Sequence, residues 1–209
     1  MSLFAHLPSG LLFGLVAGIS PGPLFALVIT ETLRHGRRQG IIVATVPLIT
    51  DAPIVAIALI VLSRIAQYDT VLGILSVIGA LYIAFLAYEN ISTRSGEIQV
   101  GESIPHSFRK GILTNFLSPH PYLFWATIGT PLVVQAARIH PSAAVLFILG
   151  FYMGLIGSKI TVAIIVEKSR RFISGKIYVY VLRLLGVALA VFSVLFIREG
   201  LMLFGIGGE

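Results

Sequence analysis

The stretch "GISPGPLFAL", residues 18–27, decides how this chain is read. It lies inside the first long apolar run, yet Pro21, Pro23, Gly18 and Gly22 are the residue types that most disturb a helix. Neither proline supplies an amide hydrogen and each ring obstructs the preceding turn, so the carbonyls near Ala17 and Ile19 are expected to lose their helical partners. Within hydrocarbon such carbonyls must be met by protein, substrate or water. A break of this kind also exposes an amide end that favours carboxylates and a carbonyl end that favours cations.

Composition puts the run in hydrocarbon. Of 209 residues, 56% are apolar and 11% are charged, and the mean hydropathy is +0.96. Ordinary soluble domains are far less apolar, so an all-α integral membrane protein is expected. A bilayer core of about 30 Å takes roughly 20 apolar residues per helix. Six runs qualify, at 7–33, 39–63, 70–90, 111–135, 142–166 and 177–197. The sixth requires Arg183 and Arg198 to snorkel to the two interfaces. No Lys or Arg precedes Arg34, so a secretory signal is not expected. The chain has no cysteine, which excludes thiol relays, thiolate metal capture and disulfides.

The net charge of +6 is distributed unevenly. Arg34, Arg37, Arg38, Arg94, Arg109, Lys110, Lys168, Arg170, Arg171, Lys176 and Arg183 follow spans one, three and five, whereas Arg64, Arg138 and Arg198 fall on the other side. The positive-inside bias puts the first group in the cytoplasm and both termini outside. Basic loops beside anionic lipid account for the charge, and no nucleic-acid partner is implied.

One polar stretch, "ISTRSGEIQVGESIPHS" at 91–107, reads as a cytoplasmic linker. It divides the chain into a first three-helix unit at 1–90, a linker at 91–110 and a second unit at 111–209. A unit with an odd number of spans that is repeated must be inverted relative to its first copy. The repeat has a marker: Ser20-Pro21-Gly22-Pro23 opens the first half and Ser118-Pro119-His120-Pro121 opens the second, followed by an aromatic at Phe25 or Tyr122. Interrupted helices at corresponding places in two halves point to a transporter substrate site. The expected fold is therefore six spans as two inverted three-helix repeats, with the first helix of each broken at S-P-x-P.

Two ionisable residues fall inside spans. Asp51 sits at the centre of the second span, where a charge costs about 2.5–3.5 kcal/mol on insertion scales. It must be paired, hydrated or protonated there, which suits a group that exchanges a proton for a cationic ligand. Lys159 in the fifth span either snorkels to the cytoplasmic interface or faces the interior, and in the second case pairs with Asp51. Gly150, Gly154, Gly157 and Thr161 form a small-residue stripe on the opposite face of that helix, suited to close helix contact. Glu31 and Asn115 are candidate polar wall groups. The histidines show no ligand spacing, so neither a metal site nor a cofactor is expected.

"SPGPLFALVITETLRHGRRQGIIVA", the Asp in span two and "GILTNFLSPHPYLFW" together resemble the lysine exporter (LysE/RhtB) family of amino-acid efflux proteins. The resemblance runs over essentially the whole chain and is most specific before residue 52. It implies a prokaryotic inner-membrane exporter of amino acids or related metabolites driven by the proton gradient. Pro21, Gly22 and Pro23 match its first motif, Asp51 its acidic position, and Asn115 with Pro119 its second motif. That motif ordinarily continues Asn-Pro-Lys, whereas Ser118-Pro119-His120 stands here and a lysine appears in span five instead.

The function expected is alternating-access export with the site between the halves. Ser20, Pro21, Gly22, Pro23, Asp51, Asn115, Ser118, Pro119, His120 and Pro121 bind the small-molecule substrate, and Asp51 and Lys159 couple protons. A homodimer is compatible with this reading. Cation or metal efflux is one alternative. Another is a membrane scaffold or accessory subunit, with the stripe Ser76, Ala80, Ala84 and Ala87 as its protein interface. No nucleophile with a base, paired metal ligands or phosphate loop suggests an enzyme.

Overall fold

The computed structural model describes residues 6–62, 65–93, 106–170 and 175–205, and among these it is entirely helical, without strands. The linker expected at 91–110 lies mostly outside the described residues. The first apolar run is two helices, α1 (His6–Ile19) and α2 (Pro23–His35), bent by 67° at the Ser20-Pro21-Gly22 break. Pro23 opens α2, where its missing amide costs nothing. The second run is α3 (Arg37–Thr45) and α4 (Pro47–Leu62), with Pro47 again marking the restart. Pro53, by contrast, is carried within α4. After α5 (Ile65–Ile91) the fourth run is the most fragmented: α6 (Ser107–Phe116), α7 (Pro119–Phe124), a π-helical stretch at Trp125–Gly129, and α8 (Thr130–Ile139). The last two runs are continuous helices, α9 (Pro141–Arg170) and α10 (Gly175–Leu203).

Among the described residues, three helical segments are long and apolar enough to cross a bilayer: Asp69–Ile91, Pro141–Arg170 and Lys176–Leu203. The bent pair α1–α2, taken as one span, makes a fourth. The runs at 39–63 and 111–135 are interrupted as well, the first where α4 restarts at Pro47 and the second at the expected Ser118-Pro119-His120-Pro121 break. A hydropathy window registers side-chain apolarity and is blind to backbone breaks at Pro47 and Pro119. Tyr180, Leu184, Val187, Val191 and Val194 make an exposed apolar face on α10, which belongs in lipid and not in water. The protein is thus built for a membrane.

Two helix pairs pack most extensively. The first is α1 against α9, where Gly10, Gly14 and Gly18 interlock with Gly150, Gly154 and Ser158. A Cβ at Gly14 would overlap the Phe151 carbonyl, and one at Gly150 would overlap the Leu7 carbonyl. The expected stripe on α9 is therefore corrected in its second half. Nothing lies within 4 Å of a Cβ built at Gly157, Thr161 is exposed, and the seam continues through Ser158. At about 100° per residue each step of four drifts by about 40°, so the seam slants around α9 instead of following the straighter four-three line through Gly157.

The second pair is α5 against α10. Ser193 Oγ donates to the Ala80 carbonyl at 2.9 Å, and Ser76, Ala80 and Ala87 are buried. Three of the four residues read as a protein interface are thus internal packing, and only Ala84 is exposed.

Candidate functional site

A cavity of about 280 Å³ lies where the breaks meet. Its wall includes Ser20, Pro21, Gly22, Pro23, Asp51, Asn115, Ser118, His120, Pro121 and Lys159. Of the residues expected to bind substrate or couple protons, Pro119 alone is not on the wall. It opens α7 from a buried position, turned away from the space that its neighbours line.

The end of α1 and the start of α2 form one side. The carbonyls ending α1 have no amides to meet across Pro21 and Pro23. Gly18 O is met instead by Lys159 Nζ at 2.9 Å, and the ammonium also stands 6.0 Å from the Phe25 ring centroid. The side chain is 4% exposed, so Lys159 faces the interior and does not snorkel. Nor does it pair directly with Asp51: its hydrogen bond goes to the peptide carbonyl. A cation at the carbonyl end of a helix is favoured by the dipole, and this seat was open because the break had created it. The first amides of α2 lack intrahelical acceptors, and Leu24 and Phe25 at that end line the cavity.

Asp51 stands on another side, also 4% exposed. Its Oδ1 accepts from Asn115 Nδ2 at 3.1 Å, and its Oδ2 accepts from Trp125 Nε1 and Tyr152 OH, each at 3.3 Å. Asn115 also donates to Thr50 Oγ1 at 2.7 Å, and that hydroxyl donates to the Val46 carbonyl at 3.1 Å. The carboxylate is therefore held by three neutral donors from α6, the π-helical stretch and α9. Sequence reasoning found Asn115 through its motif but missed Trp125 and Tyr152. One signal was available: Trp125 is the only tryptophan, and a buried indole needs an acceptor for its N–H.

The π-helical stretch has a local reason. Gly129 packs directly against the Trp125 ring, and a Cβ there would be too close to the indole. Gly129→Val is expected to push the indole away from Asp51. Because all tryptophan emission comes from Trp125, the variant should fluoresce at longer wavelength than the wild type. An unchanged spectrum would show that Gly129 does not position this ring.

Glu31, expected as a wall group, belongs to a separate ionic cluster at the ends of α2, α5 and α6. Ser107 Oγ donates to its carboxylate, and Lys110 Nζ lies 3.3 Å from Oε1. The same ammonium is 2.8 Å from Glu89, which Arg34 also contacts at 2.7 Å. Arg34 donates further to Asn90 Oδ1 and Thr93 Oγ1, and Asn90 donates to Thr30. Glu31 is fully buried. Removing one partner of a buried pair typically costs about 3–5 kcal/mol, so Glu31→Ala is expected to lower the thermal midpoint of the purified protein markedly. A midpoint equal to that of the wild type would show that the cluster contributes nothing to the fold.

An apolar helical molecule with interrupted helices, an acid and a base around one interior cavity has the build of a membrane transport protein. The chain belongs to the LysE type translocator family, whose model matches residues 15–200. Membership makes it a membrane translocator of small molecules, in a family of transporters and not of enzymes. It is also similar to the chemotactic transduction protein ChpE of Pseudomonas aeruginosa, with 25% identity over 150 residues, covering 69% of this chain and 74% of that relative. No solved structure gives a significant match.

Proposed function

We propose that the protein is a secondary exporter in the cytoplasmic membrane of a prokaryote, moving amino acids or related small metabolites outward in exchange for protons. One observation carries this reading: a buried acid, Asp51, and a buried base, Lys159, share the wall of a single cavity with the residues of both S-P-x-P breaks. An amino acid bears the complementary pair of charges. Asp51 alternates between a proton and the substrate ammonium, and Lys159 receives the carboxylate while it stays anchored on Gly18 O. Ser20, Gly22, Asn115, Ser118 and His120 supply polar groups around them, and Pro21, Pro23, Pro119 and Pro121 keep the two chain segments unwound.

Alternating access follows from residues 1–90 and 111–209 acting as inverted repeats. The packing supports that symmetry. The first run packs on the fifth, through α1 and α9, and the second packs on the fourth, through α4 with α6, α7 and the π-helical stretch. Exchanging the halves turns one pairing into the other. The third run packs on the sixth, through α5 and α10, a pairing that the exchange leaves in place. Rocking of one unit against the other would then open the cavity to each side in turn.

Cation efflux is less well supported, since the carbonyl seat that would hold an ion is filled by Lys159. The test is amino-acid uptake into inverted vesicles under an imposed proton gradient. Transport that an uncoupler leaves unchanged would remove the proton from the scheme. The absence of cysteine allows single cysteines to be placed at each terminus, and labelling from the periplasmic side is expected at both.

A further inference from the structure

The wall of the cavity has two buried charged anchors, and the other buried polar side chains on it, Asn115 and Ser118, are neutral, with Asn115 already donating to Asp51 and Thr50. Phe25, Phe124, Phe151 and Leu155 fill much of the remaining surface. A ligand here has one place for an ammonium. Asp51 has roughly four acceptor positions on its two oxygens, and the three neutral donors already described occupy three of them. The second natural seat for a cation is the carbonyl end of α1. Lys159 fills it with its own ammonium at 2.9 Å and, having three donors, keeps two for a substrate carboxylate. A ligand with a second positive charge would meet apolar rings on one side and the like charge of Lys159 on the other.

Resting on the exporter reading above, we propose that the cavity selects neutral α-amino acids with apolar side chains, and that Lys159 is the residue that rejects basic ones. Its ammonium acts as a tethered cation in the seat that a lysine or arginine side chain would otherwise use. A volume of about 280 Å³ suits a ligand of amino-acid size, just under the roughly 300–1,000 Å³ of pockets for larger molecules. A like charge held where the ligand's side chain would lie is an effective means of exclusion, because the unwanted cation meets repulsion in place of a partner.

The experiment uses the full-length protein in proteoliposomes, with counterflow of L-leucine, L-methionine and L-phenylalanine set against L-lysine and L-arginine. Wild type is expected to exchange the first three at least about tenfold faster than the last two, the scale of losing one buried charge partner. Lys159→Met opens the Gly18 carbonyl and is expected to raise the lysine-to-leucine ratio about tenfold or more, even as both rates fall. Lys159→Arg retains the cation and is expected to keep the wild-type ratio. A purely structural lysine would lower both rates together and leave the ratio unmoved, which would overturn its assigned part. Wild type exchanging lysine as fast as leucine would overturn the selectivity while leaving amino-acid export intact. Exchange of none of the five would overturn the exporter reading itself. Should Lys159→Met fail to fold, Lys159→Gln, which keeps a donor for the Gly18 carbonyl but no charge, reads the same ratio.

Discussion

Asp51→Asn is expected to reduce proton-driven export by about 100-fold or more while the protein remains folded. The neutral amide keeps the shape of the side chain and one of its two acceptor oxygens. Its NH2 group must face either the Asn115 amide or the pair Trp125 and Tyr152, all of which now donate to Asp51. The first arrangement is accessible, because Asn115 can turn its own oxygen towards position 51 and Thr50 can redirect its hydroxyl. The cost to the fold is therefore that of one rearranged hydrogen-bond chain, about 1–3 kcal/mol. Function loses more, since an amide at this position neither takes up a proton nor pairs with a substrate ammonium. Two measurements separate these roles. If counterflow persists while gradient-driven accumulation is lost, Asp51 couples the proton; if both are lost, it also binds the substrate. Export at the wild-type rate would remove Asp51 from the mechanism altogether.

Gly14→Leu is expected to give no monodisperse protein, whereas Gly157→Leu on the partner helix should behave as wild type. Lipid is as apolar as leucine, so α1 and α9 gain little from hydrophobic burial and depend on close main-chain approach. At Gly14 even a methyl group would overlap the Phe151 carbonyl, and overpacking by a few atoms costs about 1–3 kcal/mol in a well-packed core. A leucine exceeds that, so Gly14→Ala should show a graded loss of thermal midpoint. The damage extends to the site, because α1 carries the Gly18 carbonyl and Ser20 at its end. Gly157 is a fair control because it is the same residue type, on the partner helix α9, but has nothing within 4 Å of a built Cβ. Fluorescence-detected size exclusion in detergent measures both variants. A normal Gly14→Leu peak with the wild-type midpoint would mean that the seam is not what holds these helices together.

Much of the candidate site could be read in the chain beforehand because its parts break local rules. Proline inside an apolar run removes an amide and obstructs a turn wherever the run folds, so Ser20-Pro21-Gly22-Pro23 and Ser118-Pro119-His120-Pro121 announced their interruptions. An acid in the middle of an apolar run has few places to be, and Asp51 is found on the cavity wall with Asn115. The misreadings share a different cause. For Lys159, sequence offered snorkelling or pairing with Asp51, and the observed partner is a main-chain carbonyl, a type of group every residue carries. Glu31 was a wall candidate because it lies in an apolar helix, but its surroundings are set by Ser107 and Lys110 of α6, which the sequence does not place beside it.

Composition and backbone chemistry therefore determined by themselves that this chain belongs in a bilayer, where its helices break, and that Asp51 cannot face lipid. These follow from local costs: solvation of apolar surface, missing amides and the penalty for a charge in hydrocarbon. Only the tertiary structure decided that the breaks share one cavity and that Lys159 occupies the carbonyl end of α1. It also decided that Trp125 and Tyr152 hold Asp51, and that the glycine seam runs through Ser158 and not Gly157. Those outcomes depend on contacts between segments far apart in the chain, and a periodicity within one helix specifies a face without naming the helix that will meet it.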